Sequence, residues 1–346
     1  MIHSAIADDA QDRANDLVAG LPKADLHIHQ EWSPRLDRVL ARRGRTAPYD
    51  WDAWRRWLAS IPPGMPRLAH LSSVFPAPPE AEADDENVIA RLEDLLTEEA
   101  EDGAVLVEVR VGPPQALRPD LMDLIREAER RVQCRYPRLM AEAVVTVLLA
   151  DEPERLGRVV DGCIRAAGDG LGGVDLLYEP YDAEANWTGA YRLAARMADA
   201  GLGITAHAGE FSTANIAAAL ETPGLGRLGH AVYAARDPRL LDLLLHRGVT
   251  VECSLTCNVV LGAVAAYEEH PIRQFVDRGI PVALGTDDPV QVGTTIGHEY
   301  ALASRLGFSP RDLLEFTVNG VRAAFTSGER RAALLSEVEA FCSQTP

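Results

Sequence analysis

Basic residues are in short supply in this chain. Its 346 residues include 34 Lys and Arg against 52 Asp and Glu, a formal net charge of −18 at pH 7. A surface this acidic repels phosphate backbones and anionic headgroups, which argues against nucleic acid or a membrane as partner. Cysteine is sparse as well: Cys134, Cys163, Cys253, Cys257 and Cys342 are odd in number and scattered. They make no disulfide framework and suit a reducing cytoplasm and buried free thiols. The pair Cys253 and Cys257 has no second Cys or His cluster beside it, so it reads as core packing rather than structural zinc. No apolar run approaches the ~20 residues of a membrane span. The opening MIHSAIADDAQDRANDLVAG lacks the basic-then-apolar order of a signal peptide. These absences together predict a cytoplasmic protein.

What is there is a large apolar fraction, 47% of the chain, ample for a core. Short β-branched runs recur at 24–29, 104–111, 141–149, 173–179, 203–209, 227–233, 249–256 and 281–287. Near-continuous apolar strands imply a parallel sheet covered on both faces. Helical patterns alternate with them, as at 86–102, 153–168, 188–201 and 238–248, and several stop at Gly. Eight such units predict a (β/α)8 TIM barrel, one α/β domain over residues 1–346. An open doubly wound sheet is the runner-up, weakened because no glycine-rich dinucleotide fingerprint follows the first strand.

One connection is long. Residues 32–85 hold Trp32, Trp51, Trp54 and Trp57, four of the five tryptophans, and a Pro-rich patch. Excursions of this length are commonly lids or binding loops, and a lid insertion between strands 1 and 2 is expected. WDAWRRW has helical spacing; its tryptophans either pack the insertion onto the barrel or line a pocket. The stretch 308–345 is helical in pattern and is expected to close the barrel.

Chemistry concentrates where barrel enzymes place it, at the C-terminal strand ends. His27 and His29 in KADLHIH are two apart on a strand and project together, a metal-ligand arrangement. TAHAGE places His207 at the end of the fifth strand, and Gly209 lets the chain turn to present Glu210. RLGH supplies His230, and GTDDP supplies Asp287 and Asp288. From these positions His27, His29, His207 and Asp287 are expected to bind one divalent metal. Zn²⁺ suits three imidazoles and a carboxylate, with other divalent ions open. Such an ion lowers the pKa of a coordinated water towards ~7. His230 is placed to orient or deprotonate that water. Glu210 is expected to be a buried, protonated acid donating to substrate, and Asp288 to accept a hydrogen bond from it. The remaining histidines, His3, His70, His246, His270 and His298, read as surface or packing residues.

In this order PKADLHIH, TAHAGE, RLGH and GTDDP resemble the adenosine deaminase family of metal-dependent hydrolases, in the amidohydrolase superfamily. LVEVRVGP (106–113), GVDL (173–176) and HEYALASRLGFSPRDLLEFTVNG (298–320) support the likeness, which runs from about residue 21 to 325. The resemblance implies a TIM barrel with one zinc and hydrolytic deamination of a 6-aminopurine in purine metabolism. A metal-activated hydroxide would attack the amino-bearing carbon and release ammonia. It also implies that His27, His29, His207 and Asp287 are ligands, that Glu210 protonates ring N1, that His230 lies beside the attacking water and that Asp288 faces N7.

Three departures fall on substrate-shaping positions. The family motif HxH is usually followed by an apolar residue, an acidic residue and Gly; here Glu31, the ribose-facing position, is kept and Trp32 replaces the glycine. Tyr178 stands where the family often has the glycine of DLxG, whose backbone approaches the purine. ECSLTCN (252–258) replaces CPxSN, keeping Asn258. Glu31, Trp32, Tyr178, Gly209 and Asp288 are therefore the substrate-binding candidates. The expectation is an aminohydrolase for which plain adenosine is not the best substrate; adenine, a modified adenosine or another 6-amino heteroaromatic replaces it. An ester or lactone hydrolase of the same barrel, or a silent binding paralogue, are the alternatives. No interface stripe stands out, and the oligomeric state is left open.

Overall fold

Runs such as AVLVEVRV and MAEAVVTVL are apolar on both faces because both faces are covered. In the computed structural model, which describes residues 18–30, 35–47, 49–73, 84–178 and 182–344, they form eight parallel strands. These are β1 (Lys23–His29), β2 (Ala104–Val111), β3 (Met140–Leu148), β4 (Gly173–Leu177), β5 (Gly203–Ala208), β6 (Arg227–His230), β7 (Thr250–Cys253) and β8 (Val282–Leu284). Each pairs with its sequence neighbour in the order β1 to β8. An Ile28–Asp287 bridge joins the last strand to the first, with His29 N donating to Asp287 O at 2.8 Å and Asp287 N to His27 O at 2.6 Å. The sheet is a (β/α)8 TIM barrel, as the strand–helix alternation implies.

The helices lie outside it. Asp84 starts the helix Asp85–Glu101 by accepting from Asn87 N at 2.9 Å, and a left-handed Gly248 stops Pro238–Arg247. Val88, Leu92, Leu95 and Ile125 fill the layer between helices and strands. The helix Pro310–Ala323 packs over β1 and β8, so the C-terminal segment does cover the closure of the barrel.

Between β1 and Asp85–Glu101 the chain forms helices at Arg35–Arg42, Trp51–Ala59 and Met65–Ser73. Trp54 and Leu58 bury against Cys257, Leu261 and Val292, whereas Trp57 is 45% exposed beside His70. Trp54 is thus a packing residue that docks this insertion onto the tops of β7 and β8. Glu31 and Trp32 lie outside the described residues.

Three strands, β6, β7 and β8, end three residues short of their apolar runs. The 227–233 run leaves the sheet after His230, because Ala231 turns left-handed and Val232–Arg236 form a 3-10 turn. β7 stops at Cys253, where Leu255–Leu261 begins a helix, and β8 stops at Leu284. All three stop at the face that carries the histidines.

Candidate active site

Alternate residues of a strand share a face. His27, Glu108, Arg110, Asp175, His207, Arg227 and Glu252 are all fully or nearly fully buried and meet one another inside the barrel. Small residues make the room: a Cβ on Gly285 would lie 2.6 Å from the His27 Cβ. Among the described residues three non-glycine positions have left-handed φ, His230 (64°), Ala231 (51°) and Asp287 (65°). Left-handed backbone costs a residue with a Cβ free energy and persists where surrounding structure enforces it, often at functional sites. Here it turns His230 and Asp287 toward His27.

The histidine nitrogens are sorted by what stands behind them. His27 Nδ1 lies 2.8 Å from Glu252 Oε2, and His207 Nδ1 lies 3.0 Å from Asp175 Oδ1. Burial raises the Glu252 carboxyl, but the guanidinium groups of Arg110 and Arg227 outweigh it and bring it down to about 2. Burial also opposes ionisation of Asp175, and His207 with Arg110 holds it well below the usual carboxylate range. Both carboxylates are acceptors only, so each imidazole carries its proton on Nδ1 and presents an Nε2 lone pair. Burial, helped by Arg110, lowers His27 well below its ordinary value and keeps it neutral.

Those lone pairs converge. His27 Nε2 is 3.0 Å from His207 Nε2, and His29 Nε2 is 3.3 Å from His207 Nε2. Asp287 Oδ1 is 3.6 Å from His27 Nε2 and 3.4 Å from His29 Nε2. Two lone pairs face to face repel unless an electrophile lies between them. Ligand atoms held tetrahedrally at about 2.0–2.1 Å from one ion stand about 3.3 Å apart. The donor set and its spacing therefore fit one divalent cation. Burial pushes the Asp287 carboxyl up, but the surrounding imidazoles hold it below its usual range.

A carboxylate–histidine pairing of this kind orients metal ligands. The carboxylates are themselves held. Arg110 donates to Asp175 at 2.6 Å and to Glu252, and Arg227 donates to Glu252 at 2.6 Å and to Glu108. Thr205 adds a hydroxyl to Glu252 at 3.1 Å. Asp25 accepts from His27 N at 2.8 Å and Thr286 Oγ1 at 2.6 Å, tying β1 to the GTDDP turn. The sequence reading did not single out Asp175, Glu252, Arg110, Arg227 or Glu108. Their signal was present, as lone charges inside strands that are otherwise apolar; a charge buried there needs a partner.

Glu210 is 1% exposed, its Oε1 accepting from Asn258 Nδ2 at 3.0 Å and its Oε2 3.8 Å from His230 Nε2. Gly209 before it has φ 83°, and an added Cβ would lie 2.7 Å from Ile216. Asp288 is buried next to Asp287 and starts the turn Pro289–Val292. His230 Nε2 is 3.8 Å from Asp287 Oδ2. The structure thus brings together His27, His29, His207, His230, Glu210 and Asp287. The Tyr178 ring packs edge-on against Trp187, 5.1 Å between centroids, and its hydroxyl donates to Asn186 O at 2.8 Å. Cys257 was expected to pack in the core, and it does, yet it also has a donor atom within 4.8 Å of Glu210 and Asp287. His270, read from sequence as a surface or packing residue, is 4% exposed and bonded to Asn258.

Known proteins share this arrangement of chain and fold. An aminodeoxyfutalosine deaminase from Streptomyces coelicolor is 28% identical over 348 residues, 94% of this chain and 85% of that protein. The Arabidopsis protein ADAL, solved with IMP, superposes with a TM-score of 0.77 at 20% identity, covering 95% of this chain and 99% of that one. An amidohydrolase from Burkholderia ambifaria, solved with bound zinc, gives 0.76 at 20% identity over 95% and 94%. The family model for adenosine deaminase matches residues 22–341, nearly the whole barrel and every site residue above, so the chain belongs to the adenosine deaminase family and is a hydrolytic deaminase.

Proposed function

We propose that this deaminase is zinc-dependent and acts on a 6-aminopurine carried by something other than plain adenosine, with a modified adenosine as the preferred class. The observation that carries the reading is the convergence of His27, His29 and His207 Nε2 with Asp287 Oδ1, beside buried Glu210 and Asp288. When bound there, the ion supplies Lewis acidity that makes water a nucleophile at neutral pH. Of the protein groups, Glu210 takes the acid role. Its Oε1 accepts from Asn258, and Oε2 carries the proton given to ring N1. That proton makes the amino-bearing carbon electrophilic. Water adds there, one of its protons passing to the amino group, which departs as ammonia. The other returns to Glu210 as the hydroxyl collapses to the 6-oxo product, which keeps the N1 proton. Asp288, buried beside Asp287, faces the N7 edge of the purine and fixes its angle.

Two features support the substrate class. Tyr178 stands where the motif DLxG, often found in the family, would put a glycine for a close backbone approach. One relative, which matches over 94% of the chain, is an aminodeoxyfutalosine deaminase. The helices Trp51–Ala59 and Met65–Ser73, as a lid beside the ends of β7 and β8, would complete the pocket. The test is kcat/KM for ammonia release from adenosine, 2′-deoxyadenosine, adenine, aminodeoxyfutalosine and other 5′-modified adenosines. A modified adenosine should lead. Adenosine turning over near ~10⁷ M⁻¹s⁻¹, in the upper range of good enzymes, would overturn the substrate assignment.

A further inference from the structure

A chain of hydrogen bonds behind His230 is fully determined by its first member. A backbone N–H can only donate, and Ile272 N donates to His270 Nδ1 at 3.2 Å. The neutral His270 ring then carries its proton on Nε2, which lies 3.2 Å from Asn258 Oδ1. Burial keeps the ring neutral by lowering His270 to about 3. With its oxygen taken, the Asn258 amide turns its two N–H groups the other way. One meets Glu210 Oε1 at 3.0 Å and the other His230 Nδ1 at 3.2 Å. Nδ1 of His230 is therefore an acceptor, and the ring proton sits on Nε2.

We propose that Asn258 and His270 are positioning residues that hold His230 as the Nε2–H tautomer, so that it donates to the attacking water and serves neither as its base nor as a metal ligand. The contrast with its neighbours is chemical. His27 and His207 have carboxylates behind Nδ1 and offer lone pairs; His230 has an amide behind Nδ1 and offers a proton. Four donor atoms of His27, His207, His230 and Asp287 are close enough to share an ion, and this tautomer is what keeps His230 out of that set. The same amide holds Glu210 Oε1, so one side chain sets both the acid and the donor. The catalytic part of the proposal rests on the deaminase mechanism above; the tautomer does not.

The test is long-range ¹H–¹⁵N NMR on the zinc-loaded, ¹⁵N-histidine-labelled protein, with the His230 signals identified by their loss in His230→Asn. The wild type should show His230 protonated on Nε2 only. Asn258→Asp puts acceptors where the amide donated and should move the proton to Nδ1. It should also lower kcat about 100-fold, with KM and zinc content little changed. His270→Gln, which can still donate to Asn258, should retain more kcat than His270→Ala. A wild-type His230 protonated on Nδ1 overturns the proposal even if neither variant folds. So does Asn258→Asp with unchanged tautomer and kcat. Because the spectrum is read without substrate, an Nε2–H ring in a protein that releases no ammonia would count against the deaminase mechanism and leave the tautomer assignment standing.

Discussion

His27 Nδ1 lies 2.8 Å from Glu252 Oε2 inside the barrel, and this pair decides which imidazole nitrogen faces the site. The pair Asp175 and His207 does the same on the next wall. Each carboxylate is held by Arg110, so the orientation of both imidazoles is built into β2, β4 and β7 rather than into the loops.

Removing one of these carboxylate charges should act on metal binding first. Asp175→Asn keeps an oxygen for His207 but no longer fixes its proton on Nδ1. Zinc affinity should fall about 10–100-fold, the usual cost of losing such a partner. Competition with a chromogenic chelator measures it. An affinity within twofold of wild type would contradict the tautomer argument.

Glu210→Gln keeps the shape of the side chain and removes the acid. Deamination should fall by about 10²–10⁴, the range of general acid catalysis, while zinc content stays at wild-type level. Deamination that survived largely intact would contradict the assignment of Glu210 as the acid that protonates the ring.

Stability should depend on pH through Glu299, a buried residue whose carboxyl accepts from Thr294 Oγ1 and Thr256 N. Burial raises it from 4.5 to about 7. Its neutral form is favoured in the fold, so its contribution is fully present below pH 4.5 and is lost as pH rises through about 7. Glu299→Gln mimics the neutral form. Denaturation should find the variant similar to wild type at pH 5 and more stable at pH 8.5, by up to about 3 kcal/mol. Equal pH profiles would place the titration elsewhere.

Gly209→Ala should lower both stability and activity. A Cβ there meets Ile216 at 2.7 Å with φ at 83°, and the next residue is Glu210. Strain of this kind costs about 1–3 kcal/mol. Thermal unfolding and kcat should fall together; an unchanged kcat would show that the turn does not position the acid.

Much of this was legible in the sequence. β2 was read to its last residue, because a strand buried on both faces is an unbroken β-branched run. His27 and His29 were readable because a period of two puts them on one face. The ends of β6, β7 and β8 were not, since a left-handed His230 or Asp287 leaves no mark in local composition. Asp175, Glu252 and Arg110 stand singly on three strands and acquire meaning only when barrel closure brings them within hydrogen-bond range. His270 was passed over for the same reason: its partner Asn258 is on another element, and one histidine in a loop carries no pattern of its own.

The most direct test of the account is ammonia release by the purified protein before chelation, after chelation and after zinc is returned, with aminodeoxyfutalosine and adenosine as substrates. The account predicts release from a 6-aminopurine, lost with the metal and restored by zinc. Release that chelation does not touch, in protein shown to be metal-free, would contradict the reading of His27, His29, His207 and Asp287 as the metal centre on which deamination depends.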